Sequence, residues 1–304
     1  MKVLANDGLD KNAVERLEKD GIYVDTTHYE KDQLFNIIKD FDCLIVRSAT
    51  KANKEFIDAA KGTKLKLIIR AGVGLDNIDV EYATNNGITV TNTPNSSSNS
   101  VAELVLGHMI CLARYITISN ITLREGKWNK KAYTGVELSG KTFGIIGFGR
   151  IGKALANKAT ALGMNVIFYD KYYKNDEKYE YLPFNEVLRR SDFISLHVPG
   201  IDKPLIGKNE FELMKDGVFL INAARGGVID ETALLNALNT DKVAGAGIDV
   251  FMEEPTPNAE LCNHPKVSVT PHIGAATAEA QMRIGEEIID IVMDFDSRLN
   301  TMVV

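Results

Sequence analysis

Cysteine is scarce in this chain. The 304 residues hold three, Cys43, Cys111 and Cys262, and no CxxC pair. An odd, scattered set offers no disulfide framework and suits a reducing compartment, each thiol reading as a small buried apolar side chain. The chain also lacks the ~18 uninterrupted apolar residues that a membrane span needs. Its most apolar stretch, Val101–Ala113, is broken by Glu103 and His108, and the start, MKVLANDG, turns polar too early for a signal peptide. Excess positive charge is missing too. Lys and Arg number 35 against 41 Asp and Glu, and the net charge of −6 argues against general nucleic-acid binding. No fixed-period repeat is present, and the one low-complexity patch is Asn95–Ser100. The expectation is a cytoplasmic protein with no nucleic-acid partner, no membrane and no metal site.

What is present is ordinary globular material: 45% hydrophobic and 25% charged residues, enough for two domains with real cores. Short apolar runs alternate with helical patterns. Lys2–Ala5, Asp42–Val46, Leu65–Ile69 and Thr89–Thr91 read as buried strands. Asn12–Lys19, Lys31–Lys39, Lys54–Ala60 and Val80–Asn85 read as helices between them. That order predicts a parallel sheet covered on both faces. After the break at 92–100, Ser100 is expected to cap a helix running to Tyr115, with Glu103 completing a capping box. A second α/β unit follows. Its six expected strands are Phe143–Ile146, Asn165–Tyr169, Phe193–His197, Val218–Asn222, Gly245–Asp249 and Lys266–Thr270. The last run, Thr277–Arg298, reads as one amphipathic helix able to pack back onto the first unit.

The second unit opens with Gly147-Phe-Gly149-Arg-Ile-Gly152. A GxGxxG pattern alone is weak, but this one follows a strand, opens a helix and is trailed 18 residues later by Asp170 at the end of the next strand. Gly147 permits the tight turn, Gly149 lets backbone approach a pyrophosphate, and Gly152 lets helix and strand pack. Asp170 would accept from ribose hydroxyls and repel a 2′-phosphate, which favours NAD over NADP, although Lys171 would soften that repulsion.

Polar groups collect at the carboxyl ends of expected strands, where open parallel sheets bind ligands. Arg225 follows the strand ending at Asn222, Asp249, Glu253 and Glu254 follow another, and His272 follows a third. A guanidinium can hold a carboxylate in two bonds, and a carboxylate beside an imidazole orients it and favours its charged form. His197 ends a strand before Val198-Pro199, where it either lines a crevice or caps the strand. His28 and His108 have no obvious acidic partner and read as surface or helix-packing residues, and His264 as exposed.

Together, Arg70-Ala-Gly-Val-Gly-Leu-Asp-Asn77, GFGRIG, Asn222-Ala-Ala-Arg-Gly-Gly227, Gly247-Ile-Asp-Val-Phe-Met-Glu-Glu-Pro255 and Thr270-Pro-His-Ile-Gly274 resemble the D-isomer-specific 2-hydroxyacid dehydrogenases, in order and over essentially the whole chain. The resemblance implies α/β architecture: two doubly wound parallel-sheet domains, with a Rossmann nucleotide domain (95–275) inserted into a flavodoxin-like substrate domain (1–94 and 276–304). The active site is expected in the cleft between them. It implies catalytic Arg225, Glu254 and His272, Glu254 being chosen over Glu253 because the family's acid directly precedes the Pro. NAD would contact Gly147, Gly149, Arg150, Ile151, Gly152, Asp170, His197, Val198, Pro199, Ala223, Ala224, Asp249, Gly274 and Ala275. Backbone around Val73 and Gly74 is expected to hold a substrate carboxylate.

Within the family, Leu44-Ile-Val-Arg47-Ser-Ala-Thr50 with Arg70 and Gly126-Lys-Trp-Asn-Lys resembles the branch that oxidises D-3-phosphoglycerate at the entry to serine synthesis. Arg47, Arg70 and Lys130 or Lys131 would meet the phosphate, or the two arginines form structural ion pairs. The loop after Pro199 and the 95–100 segment depart from the usual pattern. With the sequence ending at Val304, no serine-sensing regulatory domain is expected, and a homodimer through 100–135 is expected. The rival readings are a glyoxylate or hydroxypyruvate reductase, and an NAD-sensing binding protein resembling the corepressors of this fold.

Overall fold

The structure, a computed structural model, describes residues 1–255 and 257–301, with side chains to 298. The end of the expected 276–304 segment, 302–304, lies outside the described residues. The chain divides into two compact units, Met1–Ser97 with the segment from Ala275, and Ser98–Gly274.

The first unit alternates strictly: β1 (Lys2–Ala5), α1 (Lys11–Lys19), β2 (Tyr23–Asp25), α2 (Lys31–Ile37), β3 (Cys43–Val46), α3 (Lys54–Ala60), β4 (Leu67–Arg70), α4 (Val80–Asn85) and β5 (Thr89–Asn92). Its strands pair in parallel in the order β2-β1-β3-β4-β5, the flavodoxin-like arrangement. β3 is buried along its whole length because helices cover both faces. Asp10, Asn53 and Asp79 begin α1, α3 and α4 by accepting backbone N–H bonds that the first turns cannot make internally.

The second unit comprises α5 (Ser98–Ala113), α6 (Ile116–Arg124), β6 (Thr142–Ile146), α7 (Arg150–Ala161), β7 (Asn165–Tyr169), β8 (Glu180–Tyr181), α8 (Phe184–Arg190), β9 (Phe193–Leu196), α9 (Lys208–Leu213), β10 (Val218–Asn222), α10 (Glu231–Asn239), β11 (Val243–Ile248), α11 (Ala259–Asn263) and β12 (Val267–Val269). Seven parallel strands run β12-β11-β10-β9-β6-β7-β8, with the order reversing between β9 and β6, where nucleotides bind in such sheets. α12 (Ala278–Thr301) belongs to the first unit. Its Ala280, Ile284, Ile288 and Val292 repeat every fourth residue and are buried, the last three in one cluster with Val3, Leu17 and Ile45. Glu287 on α12 takes Ser96 Oγ at 2.6 Å, tying down the end of the segment after β5.

Three expectations are corrected. The first unit has a fifth strand, β2, and the second a seventh, β8; both are edge strands of two or three residues, too short to show an alternation. The helix after the break starts at Ser98, so Ser100 lies inside it, and Glu103 accepts from Asn99 Nδ2 one turn earlier. Lys130–Ala132 forms a single tight helical turn instead of open loop. No single helix among the described residues is long and apolar enough to cross a membrane.

Candidate active site

The glycine loop sits between β6 and α7. Gly147 has φ +93°, and a Cβ there would lie 2.3 Å from the His197 carbonyl oxygen, so the turn demands glycine twice over. Gly152 touches the Gly147 carbonyl in the same way, whereas nothing lies within 4 Å of a Cβ built on Gly149. That face of the loop is open. Gly149 is the N-cap of α7 and makes no side-chain cap bond among the described residues, leaving the N–H groups beside exposed Arg150 and half-buried Ile151 for an anion.

Asp170 ends β7. Its carboxylate accepts the N–H groups of Phe148 at 2.8 Å, Tyr172 at 2.8 Å and Tyr173 at 2.9 Å. Burial alone would raise its pKa, but these three bonds outweigh it and hold the carboxyl below the usual range. The charged form is thus fixed beside the glycine loop. His197 N donates to the Ile146 carbonyl, its Nε2 meets Ser195 Oγ at 3.0 Å, and its Nδ1 is buried without a partner among the described residues. Burial pushes this imidazole down to about 4, so it is neutral. Val198 packs on the core, and Pro199 is exposed. The open Gly149 face, the uncapped helix and the orphaned His197 Nδ1 fit a bound dinucleotide.

The catalytic candidates converge at the ends of β10, β11 and β12. Ala223 and Ala224 are buried, and Arg225 beyond them is half-buried with Nη1 on the Ala224 carbonyl at 2.6 Å. Asn222, which sequence reasoning passed over, shapes this turn: its amide donates to the Arg225 carbonyl and accepts the Ala224 N–H. His272 has φ +52°, an uncommon conformation for a side-chain-bearing residue. Its Nδ1 is 2.8 Å from Glu254 Oε2, while Glu254 Oε1 takes the Phe251 N–H. Glu254 thus faces the imidazole, and His272 Nε2 makes no hydrogen bond among the described residues. Asp249 is buried and accepts from Thr270 Oγ1 and the N–H groups of Ile273 and Gly274. Ala275, next along, falls in the first unit, its carbonyl bonded by Gln281.

In the first unit, Arg47 follows β3 and Arg70 ends β4. Two residues missed in the sequence hold this region: Asp7 accepts the N–H groups of Arg47 and Thr50, and Asn77 donates to the carbonyls of Arg47 and Thr50. Asn77 closes the motif that begins at Arg70, which was its only signal. The Arg47 guanidinium makes no ion pair or hydrogen bond among the described residues, whereas Arg70 Nη1 donates to Ala71 O at 3.0 Å. The N–H groups of Val73 and Gly74 likewise make no bond among the described residues, and Asn92 holds the Val73 carbonyl. Lys130 is exposed. His108, expected to have no acidic partner, lies buried beside the Thr270–Asp249 pair, and His28 has Asp7 and Glu30 carboxylates within 4.0 Å.

Residues 106–274 match the family model described as the NAD-binding domain of D-isomer-specific 2-hydroxyacid dehydrogenases. The chain belongs to that family. It is 48% identical to a hydroxypyruvate reductase of Thermotoga maritima, over 95% of this chain and 96% of that one. It is 45% identical to a D-3-phosphoglycerate dehydrogenase of Methanocaldococcus jannaschii, over 94% of this chain but only 55% of that longer protein. Among solved structures, the D-lactate dehydrogenase of Aquifex aeolicus complexed with NAD and lactic acid superposes with a TM-score of 0.84, at 30% identity over 98% and 96% of the two chains. This dehydrogenase uses NAD, held by the second unit.

Proposed function

We propose that this dehydrogenase oxidises D-3-phosphoglycerate at its C2 hydroxyl to the 2-oxo acid. NAD, when bound, supplies the acceptor for the C2 hydride. His272 Nε2 takes the hydroxyl proton, and Glu254, already on Nδ1, stabilises the imidazolium that results. Arg225 holds the substrate carboxylate and the C2 oxygen, and the open N–H groups of Val73 and Gly74 add to the carboxylate's grip. Arg47, with Arg70 and Lys130, meets the phosphate. The observation that carries this substrate is the Arg47 guanidinium, half-buried at a strand end with no carboxylate against it among the described residues. A cation left unneutralised in a folded unit suits a second anionic group on the substrate.

The similarity to a hydroxypyruvate reductase favours a second reading, in which the substrate carries no phosphate. NADH formation from D-3-phosphoglycerate, D-glycerate, D-lactate and glycolate separates the two: preference for the phosphorylated acid supports ours, and equal or better use of D-glycerate supports the other. No turnover of any of them would instead favour an NAD-sensing binding protein. We further propose that the chain is a homodimer through 100–135, where Ile110, Ile116, Ile121 and Leu123 are exposed and Trp128 is 79% exposed. Light scattering on a Trp128→Glu, Ile121→Glu variant should then show monomer; an unchanged mass would exclude this face.

A further inference from the structure

Helix α5 carries His108 into the core of the second unit, where it is 3% exposed. Room for it comes from Gly247 on β11, where a Cβ would stand 2.7 Å from the His108 Cβ. Its Nδ1 lies 2.9 Å from Ser268 Oγ and its Nε2 3.0 Å from Thr270 Oγ1. Thr270 Oγ1 in turn lies 2.6 Å from Asp249 Oδ1, and Asp249 holds the N–H groups of Ile273 and Gly274. His272 N donates to the Asp249 carbonyl.

These contacts define where each proton sits. Asp249 Oδ1 already takes the Ile273 N–H, and Thr270 gives its hydroxyl proton to the same oxygen. The Thr270 oxygen must then accept from His108, which puts a hydrogen on Nε2. Burial lowers the pKa of this ring although Asp249 opposes the shift, and a neutral ring leaves Nδ1 to accept from Ser268. The chain of bonds therefore runs one way, from Ser268 through His108 and Thr270 to the carboxylate that shapes the turn carrying His272.

We propose that His108 is a positioning residue that holds His272 in its working geometry through Thr270 and Asp249. This rests on the reading of His272 as the proton acceptor. Two measurements on the full chain test it. NMR of nitrogen-labelled histidine, with the His108 signal identified by its loss in His108→Gln, should show a neutral ring protonated at Nε2 at pH 7; a charged ring or the Nδ1–H tautomer would overturn the proposal. Steady-state kinetics should show His108→Leu lowering kcat by roughly tenfold, the factor of one ordinary hydrogen bond. His108→Gln, which can keep an N–H at that reach, should recover most of the loss, and His108→Leu with Thr270→Val should be no slower than the slower single variant. Wild-type kcat in His108→Leu, or losses that multiply in the double variant, would reduce His108 to a packing residue. Should His108→Leu fail to fold, a wild-type kcat in Thr270→Val would overturn the proposal equally. If no 2-hydroxy acid is turned over, the proposed function fails while the tautomer still judges this inference.

Discussion

The strand ends of the two units are prepared differently. In the second unit the titratable groups are already engaged: His272 with Glu254, Asp249 with three donors, Asp170 with three backbone N–H groups. In the first unit the Arg47 backbone and the Val73 carbonyl are held, while the Arg47 guanidinium and the N–H groups of Val73 and Gly74 make no bond among the described residues. Groups that move a proton must be aimed before the substrate arrives, because misalignment costs rate directly. Groups that recognise an anion work best when nothing else competes for them. On the proposed function, preparation of the first kind marks chemistry, and of the second kind specificity.

The largest test of that contrast removes the chemistry. His272→Gln or Arg225→Gln should lower kcat by about a thousandfold or more with the fold retained, since general acid–base and charge-stabilising groups each contribute on the order of 10²–10⁴; circular dichroism beside turnover checks both halves. Near-normal turnover in the double variant would refute the site. A smaller effect is expected at Asp170. Asp170→Ala should weaken NAD binding roughly tenfold and narrow its advantage over NADP, and because the side chain also holds three N–H groups, the loop should become more susceptible to proteolysis. Cofactor titration by fluorescence measures the first effect.

The smallest effect concerns His197. Its pKa falls from 6.5 unfolded to about 4 folded, so between those values the unfolded chain binds more protons. Stability from keeping this ring neutral is complete above pH 6.5 and is lost as pH falls toward 4. The Tm of His197→Gln should therefore fall less steeply than wild type over that window. Parallel Tm curves would remove His197 from the account.

Legibility in the sequence tracks how local each cause is. The buried strands β3, β4, β6 and β10 were readable because a strand covered on both faces must be apolar throughout. The glycine loop was readable because its turn, its helix start and Asp170 lie within one short unit. Edge strands β2 and β8 were not, being too brief to carry a pattern. Ser100 misled because Ser98, two residues earlier, begins the helix in a run of serines that all suit caps. The partners of His108, Ser268 and Thr270, lie 160 and 162 residues away, and Asp7 reaches Arg47 over 40 residues. Such contacts exist only after the sheets have formed.

The most direct measurement compares kcat/KM for D-3-phosphoglycerate and D-glycerate in wild type and Arg47→Ala. The account predicts a preference for the phosphorylated acid that drops by roughly a hundredfold in the variant, as expected for losing a charge-assisted pair, with D-glycerate turnover unaltered. Equal use of the two acids by wild type, or a variant that loses both alike, would contradict it.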